Sequence, residues 1–183
     1  MAVRIDVLRA PTLNPSALPE GDVIVVPPGL GAALAEPVVR VLRLAVESGS
    51  SVLGVGDGVR HLCAAGMLPG RIVEGPIAAA THVRVEGRST PLTWAIPAGR
   101  IVKLHEAPAF RFEASTLDVD ALRARGGVLL RYCDVAGGAL ADLGPAAVAG
   151  LCDPTGRVVG LLGGVTPPLD GPVGAQIRAC LER

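Results

Sequence analysis

Ser51-Val52-Leu53-Gly54-Val55-Gly56-Asp57-Gly58-Val59-Arg60-His61-Leu62-Cys63-Ala64-Ala65-Gly66 reads as one strand that passes through a glycine-rich turn into one helix. Residues 51–56 form the short apolar strand. Asp57 is placed to cap the helix N-terminus, and Gly66 to end the helix. A strand, a tight glycine turn and a helix in this order form an elbow, the unit on which α/β folds mount reactive groups.

The segments on either side repeat the alternation. Asp22-Val23-Ile24-Val25-Val26-Pro27-Pro28-Gly29-Leu30-Gly31 is a β-branched run that ends in Pro and Gly, as a buried parallel strand does on entering a loop. From 35 to 47, Val38, Val39, Leu42, Ala45 and Val46 recur at helical spacing, with Gly49 as the stop. Residues 71–113 are short apolar runs cut by Pro and Gly, which predicts a mostly antiparallel β region with strands at 82–86 and 99–104. A short helix is expected at 118–125, strands at 127–134 and 148–153, and a hairpin return at 156–162. The tail from 172 to 183 carries Val173, Ile177, Cys180 and Leu181 on one helical face, a pattern that docks on a sheet.

Half of the 183 residues are hydrophobic, enough for one core, and one domain spanning 1–183 is the expectation. The apolar residues are aliphatic, with one Trp, one Tyr and two Phe, which favours α/β. Seventeen basic and seventeen acidic residues cancel, and no cluster of cations interleaves with aromatics, so nucleic acid is not expected as a partner. No run of about 18 apolar residues and no signal-peptide pattern occurs, so no membrane partner and a cytoplasmic location are expected. Cys63, Cys133, Cys152 and Cys180 lie far apart without a Cys-x-x-Cys pair, which reads as reduced buried thiols. His61, His82 and His105 form no paired metal-ligand spacing, so no metal and no cofactor are expected.

The stretch 51–71 resembles the nucleophile elbow of class I glutamine amidotransferases, and specifically of the PurQ family, the glutaminase subunit of phosphoribosylformylglycinamidine synthase. There the pattern is Gly-x-Cys-Asn-Gly-Phe-Gln, followed by a short helix ending in Gly-Leu-Leu-Pro-Gly. Residues 22–29 resemble the strand entering that family's Pro-Gly-Gly loop, and 82–86 the strand after its elbow. Residues 127–134 resemble its strand ending in Arg-Tyr, and 148–162 its Ile-Ala-Gly-Ile hairpin. The resemblance covers about 20 to 170 and implies a flavodoxin-like sandwich, with a mostly parallel central sheet flanked by helices plus a small antiparallel β region.

The departures fall on the chemistry. In the family a thiolate attacks the glutamine amide, a Glu-held His moves protons and backbone N–H groups stabilise the oxyanion. Aligning the elbow glycines puts Gly56 at the nucleophile, and aligning the hairpin puts Gly164 at the histidine and Thr166 at the glutamate. Pro28 replaces a glycine of the first loop and removes an N–H that would serve as oxyanion donor. The family's His-Gly-Glu-Gly loop is replaced around Glu106-Ala107-Pro108-Ala109, and the N-terminal strand-helix unit is shortened.

These departures predict a catalytically inactive glutaminase-like subunit. Its implied partner resembles the large, ATP-using synthetase subunit of the same enzyme, in purine or purine-derived metabolism; a homo-oligomer is compatible with the same sequence. An exposed apolar patch near the elbow is expected for such a partner surface. The competing reading is a divergent amidotransferase or hydrolase with a relocated site, drawing on Cys63, Cys133 or Asp57 with His61, His82 or His105. A third reading, a small-ligand sensor, rests on the glycine-rich elbow alone and requires a pocket there.

Overall fold

A computed structural model of the chain describes residues 4–8, 22–31, 33–75, 77, 80–87, 90, 97–104, 109–140, 143 and 147–162. The strands are β1 (Ile5–Val7), β2 (Val23–Val26), β3 (Ser51–Val55), β4 (Arg71–Glu74), β5 (His82–Val85), β6 (Ile101–Lys103), β7 (Phe110–Glu113), β8 (Val128–Cys133), β9 (Val148–Cys152) and β10 (Val158–Leu161). The helices are α1 (Glu36–Glu47), α2 (Gly58–Ala64) and α3 (Thr116–Ala124).

Eight strands form one sheet in the order β1-β2-β3-β10-β9-β8-β5-β6. The pairs β1/β2, β2/β3 and β3/β10 are parallel, and the remaining neighbours are antiparallel, so all strands but β9 and β5 point the same way. The central sheet is thus mostly parallel and helix-flanked, as expected. Central strands β2, β9 and β10 are buried at every residue, which is why their sequences run apolar without alternation. β5 alternates between half-buried and buried, matching the alternation of His82-Val83-Arg84-Val85.

The antiparallel region divides in two. β4 and β7 form a separate two-stranded ribbon, whereas β5 and β6 extend the main sheet. Where the chain enters β4, Phe112 of β7 packs so tightly against Gly70 that a Cβ there would come within 2.6 Å of its ring.

α1 buries Val38, Val39, Val41 and Leu42, and Gly49 ends it at φ +104°. α3 starts at Thr116, two residues earlier than the periodicity predicts. Ser115 is the cause, because its Oγ accepts the Asp118 N–H at 3.1 Å and satisfies a helix-end donor. In the β9–β10 hairpin, Asp153 Oδ1 accepts the N–H groups of Arg157 and Val158, each at 2.9 Å, and fixes the turn. Among the described residues no helix is long and apolar enough to cross a membrane. The expected C-terminal helical face, with Cys180, lies outside the described residues, as does the loop 105–108.

Candidate functional site

The elbow stands at the carboxyl end of β3, between the ends of β2 and β10. β3 closes at Val55; Gly56 turns the chain at φ +58°, and its N–H donates to the Leu161 carbonyl at 2.9 Å. The turn is sharp because α2 starts at once and must pass close to β2. A Cβ on Gly58 would collide with the Val26 carbonyl oxygen, and one on Gly54 would come 2.7 Å from Leu62 Cδ1. Glycine at 54 and 58 is therefore a packing requirement, since only a residue without Cβ allows helix and strands to approach this closely.

Gly56 differs from both. The space beyond its missing Cβ is bounded by Pro28, whose Cβ would lie 3.3 Å away. The loop after β2 thus brings the ring of Pro28 against the point where a side chain at 56 would begin. Pro28 offers no N–H, and its neighbour Gly29 has already committed its own: Gly29 N–H donates to Asp57 Oδ1 at 2.8 Å.

Asp57 therefore does not cap α2 as expected. It forms no side-chain bond to the helix N-terminus but reaches across to the β2 loop. The physical reason is its backbone, which is already helical at φ −70°, ψ −14°, whereas a capping side chain needs the extended conformation seen at Ser115. Arg60 lies 3.7 Å from Asp57 Oδ2 and 3.7 Å from Glu74 Oε1, joining the elbow to β4. Asp57 is thus an acidic brace between elbow and loop.

The other proposed residues are scattered. His61 is on α2, only 4% exposed; burial holds its pKa below the usual imidazole value, and its Nε2 is buried without a hydrogen-bond partner. Cys63 is half-buried near the end of α2; its Sγ lies 3.6 Å from the Pro69 carbonyl, and burial pushes its thiol up to about 12. A thiol so protonated is a poor nucleophile. Cys63, Cys133 and Cys152 are all free, and burial also raises the last two, Cys152 to about 11.

One cysteine-histidine combination does come together. His82 of β5 and Cys133 of β8 are direct cross-strand partners, a proximity that no sequence spacing reveals. His82 Nδ1 lies 2.9 Å from Thr81 Oγ1, and Cys133 is only 2% exposed. Gly164, Thr166 and His105 lie outside the described residues. Among the described residues no group of three His, Cys, Asp or Glu side chains is arranged to hold a metal ion.

Among the described residues the exposed large apolar side chains are Leu44, Ile101, Leu117 and Val135, and none of them lies on the β3–α2 elbow itself. A shallow groove lined by Gly70, Arg71, Phe112 and Glu113 also lies beside the β4–β7 ribbon and not at the elbow.

No family model matches the chain. Among individual proteins, phosphoribosylformylglycinamidine synthase subunit PurQ of Rhodopseudomonas palustris is 35% identical over 164 residues, covering 79% of this chain and 70% of that protein. The subunit of the same name from Nitrobacter winogradskyi is 33% identical over 166 residues, covering 80% of this chain and 71% of that one. Of solved structures, PurLQS from Thermotoga maritima superposes with a TM-score of 0.61 at 24% identity over 88% of this chain and 78% of that chain. A ThuA-like protein from Bacteroides uniformis reaches 0.50 at 14% identity, over 90% and 69% respectively. At these identities the two structures speak for the fold alone. The sequence relatives and the elbow between β3 and α2 carry the assignment further: the chain belongs to the family of the PurQ subunit of phosphoribosylformylglycinamidine synthase.

Proposed function

We infer that this chain is a single-domain, catalytically inactive PurQ-like subunit that binds and supports a synthetase subunit of the phosphoribosylformylglycinamidine synthase type, in purine or purine-derived metabolism. The observation that carries this reading is the elbow tip. Gly56 has no nucleophile to offer, and Pro28 crowds the space where one would project. Glutaminase chemistry of this class forms a thioester, so without a thiol at the tip the covalent route is closed there.

The surroundings support the same reading. An oxyanion needs free, preorganised donors, yet Gly29 N–H is held by a carboxylate, and a negative charge beside the tip opposes a developing oxyanion. The pattern with which this elbow aligns has asparagine at the position of Asp57. An acidic brace there is suited to holding a scaffold and ill suited to turnover.

The second reading, a relocated thiol site, draws its support from the cross-strand pair His82 and Cys133. It faces the burial of Cys133, which disfavours the thiolate.

The deciding experiment measures glutamate and ammonia release from glutamine by the full chain, alone and with its synthetase partner. The expected outcome is no release in either case, with a stable complex on a sizing column. Release abolished by Cys133→Ala or Cys63→Ala overturns the inactive reading in favour of a relocated site. Failure to form any complex overturns the partner reading.

A further inference from the structure

We propose that Asp57 latches the segment 27–31 over the elbow tip as a closed cover, so that the tip is shut to small molecules as well as lacking a nucleophile. This deepens the inactive reading given above, because it concerns access to the same tip.

The cover has a fixed root and a loosely held outer half. At the root, Val26 and Pro27 lie hard against the first turn of α2: a Cβ on Gly58 would collide with the Val26 carbonyl oxygen and come 3.0 Å from that of Pro27. Farther out the chain has little to rest on. Pro28, Gly29 and Gly31 are exposed, and beyond its chain neighbours a Cβ at Gly29 or Gly31 would meet nothing within 4 Å. Both glycines sit at positive φ, +81° and +71°, and glycine leaves such torsions free to change. Leu30 supplies apolar anchorage, half-buried against the core.

One polar bond closes the outer half. Gly29 N–H donates to Asp57 Oδ1 at 2.8 Å, and among the described residues it is the one hydrogen bond that ties 27–31 to another element. A charged acceptor makes it stronger than a neutral bond. The acceptor is itself held in place. The Asp57 side chain is only 14% exposed, and its other oxygen lies 3.7 Å from Arg60, which in turn lies 3.7 Å from Glu74 of β4. A carboxylate so covered needs its partners, so Asp57 depends on the Gly29 N–H as the loop depends on Asp57.

The consequence falls on the tip. With the latch closed, Pro28 stands 3.3 Å from the point where a side chain at 56 would begin. Release of the one bond frees the residue next to Pro28, and the two glycines then let the outer half swing away from Gly56.

The test reads amide exchange at Gly29 by NMR in the full chain, for the wild type, Asp57→Ala and Asp57→Asn. Alanine removes the acceptor, whereas asparagine keeps an oxygen at the same place without the charge. Gly29 is expected to exchange about tenfold or more faster in Asp57→Ala and little faster in Asp57→Asn. The Gly56 N–H, which donates to Leu161, is expected to be unchanged in all three, showing that the opening is local. A second measurement reads access to the tip, as the rate at which iodoacetamide, a small neutral carboxamide, alkylates the thiol of Gly56→Cys. Peptide mass spectrometry counts Cys63, Cys133, Cys152 and Cys180 apart. Adding Asp57→Ala is expected to give a rate about tenfold or more above that from adding Asp57→Asn. Both neutralise the carboxylate, so the difference reports the latch and not the ionisation of the thiol. Equal Gly29 exchange in the wild type and Asp57→Ala overturns the latch, as do equal alkylation rates in the two double variants. The exchange measurement involves no change at 56 and decides the matter if Gly56→Cys fails to fold. Loss of the latch leaves the inactive reading standing, since Gly56 still carries no nucleophile; that reading falls only to ammonia release from glutamine.

Discussion

Gly56 and Gly58 are separated by one residue and are glycine for different reasons. At 58 the constraint is distance, since a Cβ would strike the Val26 carbonyl. At 56 it is conformation, since φ is +58° and the neighbouring Pro28 is close without overlapping. Gly58→Ala is therefore expected to lower unfolding free energy by about 3 kcal/mol, as overpacking does when backbone must yield. Gly56→Ala is expected to cost only about 1–2 kcal/mol, the cost of a left-handed non-glycine residue. Urea denaturation of both variants checks this order, and equal losses would show that the close approach of Pro28 at 56 costs as much as the backbone overlap at 58.

At the scale of elements, α3 owes its start to a single polar contact. α3 starts where Ser115 accepts the Asp118 N–H, and Ser115 Oγ also donates to Asp118 Oδ2 at 2.6 Å. Ser115→Ala should reduce stability by about 1 kcal/mol without changing the slope of the urea transition, because the cap is lost and the core is not. A loss below a few tenths would mean that the helix start is held by its packing alone. α2 behaves otherwise: its first turn has no side-chain cap, and Asp57 is spent on the β2 loop. Residue type pointed to a cap at both sites, and the local backbone decided between them. Sequence pattern located α1 and the β8, β9 and β10 strands to within a few residues because their burial is continuous or strictly periodic. It did not separate the β4–β7 ribbon from the β5–β6 edge, since both are short, apolar and bounded by Gly or Pro.

For the whole molecule, pH is a probe of the buried elbow helix. Burial lowers the His61 pKa in the folded chain relative to the ordinary value of 6.5, so the unfolded chain takes up a proton first as pH falls. The contribution of His61 is fully present above about 6.5 and is lost as pH falls below that value through the lowered folded pKa. Melting temperature measured from pH 8 to pH 5 should fall below that point, and His61→Gln should flatten that part of the profile. A variant whose profile matches the wild type would show that other groups carry the acid sensitivity.

The alternation of strand and helix, the aliphatic core and the glycine elbow were all determined by the sequence, because hydrophobic period and glycine placement act locally and need no knowledge of distant neighbours. That Gly56 stands at an elbow tip was legible in the same way. Only the tertiary structure decided that Pro28 lies against that tip, that Asp57 reaches Gly29, and that His82 and Cys133 share a cross-strand position. Each of these joins residues 28 to 51 positions apart in the chain, and such contacts are set by strand register and crossover, which no local pattern in the sequence encodes.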